Sequence, residues 1–257
     1  GGSAGLCAAL AARERGASVL VLERAPPEES GGNSRFTAGA IRCVYRGVDD
    51  LRQIMELSDS EIENTDFGAY TEDQFFDDMF RVTQYRADAA LVEVLVRRSF
   101  DTMRWMHGHG VRFVPIYGRQ AFKVGGRFKF WGGLTVEARG GGPGLVDALT
   151  EACRKRGVAI RYRAQAVRLL ADAAAVRGVA VKSGGRVDDI AAGAVVLACG
   201  GFQANPEMRT RYLGPGWELA KVRGTRFNTG DGHRMALAIG ASSAGNWSGC
   251  HAVGWDR

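Results

Sequence analysis

Three groups of residues have the types and spacing to hold an anionic ligand. The first opens the chain: Gly1-Gly2-Ser3-Ala4-Gly5 runs into an alanine-rich stretch from Leu6 to Arg15, then Ser18-Val19-Leu20-Val21-Leu22 ends in the acid Glu23, with Arg24 opening the loop that follows. A glycine turn before a helix aims free N–H groups and a positive dipole end at a phosphate. Gly2 lets a pyrophosphate lie against the backbone, Gly5 lets the helix pack closely on a strand, and Glu23 can accept both hydroxyls of a ribose. These pieces form the second half of a dinucleotide-binding βαβ unit. In a G-x-G-x-x-G fingerprint with Gly2 in the middle and Gly5 last, the first glycine and the leading strand fall before Gly1. The spacing therefore predicts an incomplete N-terminus.

The second group is Gly31-Gly32-Asn33-Ser34, followed by Thr37-Ala38-Gly39-Ala40-Ile41, where a helix is expected to begin. The third is Asn228-Thr229-Gly230-Asp231-Gly232, which leads into an expected helix from Arg234 to Ile239. The opening turn and Gly31–Ser34, two glycine-rich turns flanking one strand–acid junction, exceed what a nicotinamide fingerprint requires. They suit a longer ligand whose phosphates and ring system are both wrapped by backbone.

The remaining elements position these groups. Residues 46–66 carry many acids and weak periodicity and read as an irregular excursion. Thr71–Gln74 is a capping box for a helix bearing Phe75, Phe76, Met79 and Val82. A longer helix from Asp88 presents Leu91, Val92, Leu95, Val96, Phe100, Met103 and Met106, and stops at Gly108-His109-Gly110. Gln120–Val124 and Arg127–Trp131 flank Gly125-Gly126 as a hairpin. Gly140–Gly144 precedes a helix from Leu145 to Arg156, and strands follow at 158–162, 166–170, 176–182 and 186–190. The wholly apolar run Ala194–Cys199 reads as a strand buried on both faces, and it exits at Gly200-Gly201-Phe202. Asn205-Pro206 caps a short helix.

Composition narrows the function classes. The 257 residues, 46% hydrophobic and 24% charged, suffice for one large α/β domain. No apolar run approaches the roughly 20 residues that cross a bilayer. The net charge of +6 comes from dispersed basic residues, Arg209 and Arg211 among them, most of which read as solvated helix faces rather than a nucleic-acid surface. The five cysteines are scattered with no CxxC pair, so no metal site is expected; Cys7 and Cys199 read as buried thiols suited to the cytoplasm. His107 and His109 read as polar residues at a helix end.

Taken in order, GGSAG–Glu23, GGNS–AGAI, GGGPG–L, VVLACGGF–N and NTGDG–MA–GA resemble the flavoproteins of the fumarate reductase and succinate dehydrogenase superfamily. GGNSRFTAGAIRC, RWMHGHGVRF and GNWSGCHAVGWD are most similar to its FAD-dependent tricarballylate dehydrogenase branch. The resemblance implies a Rossmann-like FAD-binding domain at 1–247, a parallel sheet with helices plus an antiparallel meander. A helical and hairpin insert falls at about 46–140, and a substrate-capping domain, otherwise missing, begins at 248–257.

The resemblance also implies site roles. Gly2, Ser3, Ala4 and Gly5 cradle the FAD pyrophosphate, with Glu23 on the adenosine ribose and Arg24 among the cofactor-binding residues. Gly31, Gly32, Asn33, Ser34, Thr37, Ala38 and Gly39 run beside pyrophosphate and flavin. Ala166 and Val167 meet adenine through backbone, Ala198, Gly200 and Gly201 close over the dinucleotide, and Thr229, Gly230 and Asp231 lie near the ribityl chain. Asn33 stands where covalent members carry histidine, so FAD is held non-covalently. His251 falls at a substrate-carboxylate position. The proton-transferring arginine comes after Arg257, so no catalytic residue is expected within these residues.

The implied reaction is oxidation of tricarballylate to cis-aconitate, with hydride passing to flavin N5 and a membrane-associated electron carrier reoxidising the flavin. A fumarate-reductase-like or ketosteroid-dehydrogenase-like enzyme, a nicotinamide oxidoreductase, and a non-catalytic flavin- or RNA-binding module are the alternatives.

Overall fold

The computed structural model describes residues 1–250. Helix α1 (Ser3–Glu14) begins at Gly2 with no side chain capping it, and turns Leu6, Ala9 and Leu10 inward. Strand β1 (Leu20–Leu22) follows, then 3-10 turns at Pro27–Glu29 and Gly32–Phe36, then β2 (Ala40–Ile41). The helix expected from Thr37 does not form. Gly39 has φ +77°, outside the right-handed helical region, and Ala40 pairs with Glu137 instead.

The stretch 46–66 is ordered, against expectation. Helices α2 (Val48–Leu51) and α3 (Asp59–Asn64) precede β3 (Thr65–Asp66), and a capping box between Ser58 and Glu61 opens α3. Leu51 and Ile54 are fully buried and anchor this segment despite its many acids. Helix α4 (Glu72–Val82) starts at the Thr71–Gln74 box and packs on α5 (Ala89–Gly108). The inward face of α5 is Val92, Val96, Ser99, Met103 and Met106, a series that stays on one side at 3.6 residues per turn. Leu91 and Leu95, counted in the apolar stripe, lie off that face and are exposed.

Strand β4 (Phe113–Pro115), helix α6 (Tyr117–Gln120) and strands β5 (Ala121–Val124), β6 (Arg127–Phe130) and β7 (Val136–Ala138) complete this layer. β5 and β6 form the expected hairpin, β3 adds to β6 in parallel, and a second sheet runs in the order β2-β7-β4.

Helix α7 (Gly141–Lys155) starts earlier than expected, taking its glycines into the first turn. It packs against α1, with Val146, Leu149 and Cys153 joining Leu6 and Leu10 in one buried cluster. β1 runs parallel to β8 (Ala159–Arg161), with Leu20 opposite Ala159. Strands β9 (Gln165–Ala171), β10 (Val176–Ser183) and β11 (Arg186–Ala191) form the antiparallel meander. Helix α8 (Pro206–Leu213) is capped by Asn205, and α9 (Asp231–Ala238) begins at Gly230. The α/β class is the one expected: parallel strands with helices, plus a meander.

Other expectations fail. Ala194–Cys199 is not a strand; it has no ladder partner among the described residues, Val196 is 71% exposed, and Cys199 is exposed. Apolar composition marks a buried strand only where a neighbouring strand supplies the hydrogen bonds. Cys7 is half-buried, and that burial pushes its thiol up to about 11. Arg209 is buried rather than solvated and donates to the carbonyls of Gln203, Trp217 and Glu218. No helix among the described residues is long and apolar enough to cross a membrane.

The far end of α1 is tied to α5. Glu14 accepts a hydrogen bond from Trp105 Nε1 at 3.0 Å and lies 2.8 Å from His109 Nε2, a side chain only 3% exposed. The Trp105 bond, with His109 second, holds the Glu14 carboxyl below the usual carboxylate range. A carboxyl depressed in the folded state stabilises it above the unfolded pKa and loses that contribution as pH falls through the folded value. Glu14→Gln is therefore expected to flatten the loss of stability below about pH 4.3. Urea unfolding across the acid range checks this, and an unchanged slope would contradict it.

Candidate cofactor site

The opening turn and the second glycine group come together. Ser34 Oγ accepts from the Ser3 backbone N–H at 3.1 Å and lies 2.9 Å from Ser3 Oγ. A Cβ on Gly2 would sit 3.3 Å from the Gly31 carbonyl oxygen, so two backbones meet here with no side chain between them. Glu23 ends β1 buried beside this junction, its Oε2 3.0 Å from the Gly1 amino nitrogen and its Oε1 accepting from the Ala25 N–H at 2.8 Å. Gly5 faces Ala198 at 3.5 Å from a built Cβ, which brings the 198–201 segment against α1; Ala4 is exposed.

Thr37, Ala38 and Gly39 serve a different contact. The Thr37 carbonyl accepts from the Gly142 N–H at 3.0 Å, and a Cβ on Gly39 would stand 2.7 Å from the Gly141 carbonyl carbon. These residues thus clamp the N-terminus of α7 to the turn carrying Gly31–Ser34. Asn33 reaches the other way: its Oδ1 accepts from the Thr225 N–H at 3.0 Å.

The third group closes the site. Gly230 N–H donates to the Gly201 carbonyl at 3.1 Å, and Gly200 (φ +68°) leaves room for the Asn228 amide, which would be 2.6 Å from a Cβ. Arg24 Nη1 donates to Thr229 Oγ1 at 2.7 Å and Asp231 Oδ2 at 2.8 Å. Gln165 Nε2 reaches the same oxygen at 3.2 Å, and Arg234 pairs with Oδ1. Ala166 and Val167 begin β9 beside this cluster, in a groove of about 630 Å³ shared with Asp231 and Met235. Gln165 and Arg234 were missed as site residues; their adjacency to Ala166 and to the Asp231 turn was the only signal. His251 lies outside the described residues.

The donor set fits a dinucleotide. Two helices, α1 and α9, start at glycines with no side-chain cap, and each N-terminus touches the 198–201 segment, through Gly5–Ala198 and Gly232–Cys199. Helix N-termini of this kind leave N–H groups for phosphate oxygens. The buried Glu23 carboxylate sits one strand end away, where a ribose can use it.

The FAD binding domain family matches residues 1–249. The chain belongs to this family. FAD is therefore its cofactor, and the fold is that of the FAD-binding domain in fumarate-reductase-type flavoproteins. The chain is 29% identical over 243 residues to a probable fumarate reductase, Ifc3, of Shewanella frigidimarina, covering 94% of this chain and 38% of that protein. It is 29% identical to the vinyl phenol reductase of Lactiplantibacillus plantarum, covering 95% of this chain and 45% of the relative. Among solved structures, the open conformation of a flavocytochrome c3 fumarate reductase superposes with a TM-score of 0.73 at 29% identity, over 94% of this chain and 39% of that one. The chain thus spans less than half the length of these relatives.

Gly39→Ala tests the convergence. A side chain there meets backbone and forces a left-handed residue to accept a Cβ, costing about 2 kcal/mol or more. Lower stability in urea and lower FAD content are expected together; a variant that matches the parent in both sinks the argument.

Proposed function

We propose that the protein is an FAD-dependent oxidoreductase acting on a carbon–carbon bond between carboxylate-bearing carbons, and that it dehydrogenates tricarballylate to cis-aconitate. The observation that carries the reading is the single track formed by Gly2–Gly5, Glu23, Gly31–Ser34, Gly200–Gly201 and Thr229–Asp231, matched to the FAD binding domain family. The relatives' names, a probable fumarate reductase and a vinyl phenol reductase, place related proteins on substrates with a carbon–carbon double bond. Resemblance in GGNSRFTAGAIRC and GNWSGCHAVGWD favours the tricarboxylate.

Bound FAD supplies a two-electron acceptor. The chain's residues supply the rest of what is described: helix N-termini for the phosphates, Glu23 for a ribose, and the Gly31–Ser34 turn, held against Gly2 and Ser3, beside the pyrophosphate. Asn33, which has no nucleophilic nitrogen to attach a flavin, supports non-covalent binding. We assign His251 to a substrate carboxylate, a charge-assisted contact that also steadies negative charge developing next to that carboxylate. The reduced cofactor passes its electrons to a membrane-associated carrier, and the free thiols support a cytoplasmic setting.

The second reading is reduction of fumarate, favoured by the 29% identity to the probable fumarate reductase. Anaerobic mixing of the flavin-loaded protein with tricarballylate or succinate separates the two. Loss of flavin absorbance with tricarballylate alone is expected. Loss with succinate alone, or reoxidation by fumarate alone, assigns the protein to the second reading. His251→Ala is expected to raise the tricarballylate KM about tenfold or more at unchanged FAD content.

A further inference from the structure

The strip Thr225–Asp231 crosses the strip Arg24–Asn33 and is fastened to it repeatedly. Thr225 donates to Asn33, and Arg226 grips Glu29 through two hydrogen bonds of 2.8 Å each, from Nε and Nη2. The Phe227 ring takes both guanidiniums, with Arg226 Cζ 4.7 Å and Arg24 Cζ 5.7 Å from its centroid. Arg24 then reaches Thr229 and Asp231. The hydrogen-bonded partners are 192 to 207 residues apart, so these contacts set the distance between two remote segments.

Both strips carry parts of the cofactor track, Gly31 to Asn33 on one and Thr229 to Asp231 on the other. Glu29, Arg226 and Phe227 lie outside that track. As a fold stabiliser an exposed ion pair is weak. Its geometry is nonetheless well defined, because a bidentate fork and a stacked ring fix the guanidinium plane. That precision is useful where two strips must stay at one separation around a ligand.

We propose that Thr225–Phe227 is a clasp that retains FAD, with Arg226 as its positioning residue: the Arg226–Glu29 pair holds the two strips together, and the dinucleotide leaves when it opens. This rests on FAD lying along the track described above. Both partners are solvent-exposed, so salt weakens the clasp.

FAD release from the loaded protein, measured after dilution into excess flavin-scavenging apoprotein, tests this. Arg226→Ala and Glu29→Ala are each expected to release FAD roughly three- to fivefold faster and to lose most of the salt dependence. The reversal Glu29→Arg with Arg226→Glu is expected to restore retention to within about twofold. Melting of the flavin-free variants stays within about 2 °C of the parent, and hydrogen exchange of 224–230 slows on FAD binding in the parent but not in Arg226→Ala. Unchanged release in the single variants, a reversal that fails to restore it, or flavin-free melting that falls in step overturns the clasp. A parent that holds FAD without protecting 224–230 removes the clasp and leaves the cofactor site standing. A parent that takes up no FAD removes both.

Discussion

Backbone meeting backbone where a side chain would intervene is the constraint on which this structure depends. Gly2 faces Gly31 and Gly39 faces Gly141. Each approach brings a hydrogen-bonding group into place: Ser3 reaches Ser34 only because Gly2 and Gly31 touch, and Gly142 reaches the Thr37 carbonyl only because Gly39 has no Cβ. Glycine in ordered backbone is entropically unfavourable by roughly 0.5–1 kcal/mol per residue against alanine. The offset lies just behind the site, where Leu6 and Leu10 of α1 bury against Val146, Leu149 and Cys153 of α7. The helices that begin at these turns, α1 and α7, thus share one buried cluster.

The sequence made the local half of this arrangement readable. A glycine turn, an alanine-rich helix and a strand ending in acid are signals carried by neighbours in the chain, as are the Thr71–Gln74 box and the Gly125-Gly126 hairpin. What stayed hidden depends on distant partners. Ala194–Cys199 has the composition of a central strand, but pairing is not a property of composition, and that segment is left unpaired. Thr37–Ile41 has small residues compatible with a helix, yet the Ala40–Glu137 pairing and the positive φ of Gly39 make it extended. Residues 46–66 read as irregular because their buried apolar residues, Leu51, Ile54 and Met55, are few and acids surround them. Arg24 follows the end of β1, but no local rule ties it to Asp231, 207 residues on.

Charge separates into two populations that composition could not distinguish. Arg97–Glu93, Arg104–Asp101 and Arg154–Glu151 are pairs within single helices, exposed and three or four residues apart, and such pairs contribute little. The arginines at the site do something else. Asp231 sits in the first turn of α9, where the helix dipole favours it, but an uncompensated carboxylate there would repel a phosphate. Arg24 and Arg234 both pair with it, and Gln165 takes a further hydrogen bond. The carboxylate can then hold its hydrogen bonds while the N-terminus of α9 stays attractive to an anion. A net charge of +6 was therefore ambiguous as a number; its meaning for the site lies in which carboxylate the arginines neutralise.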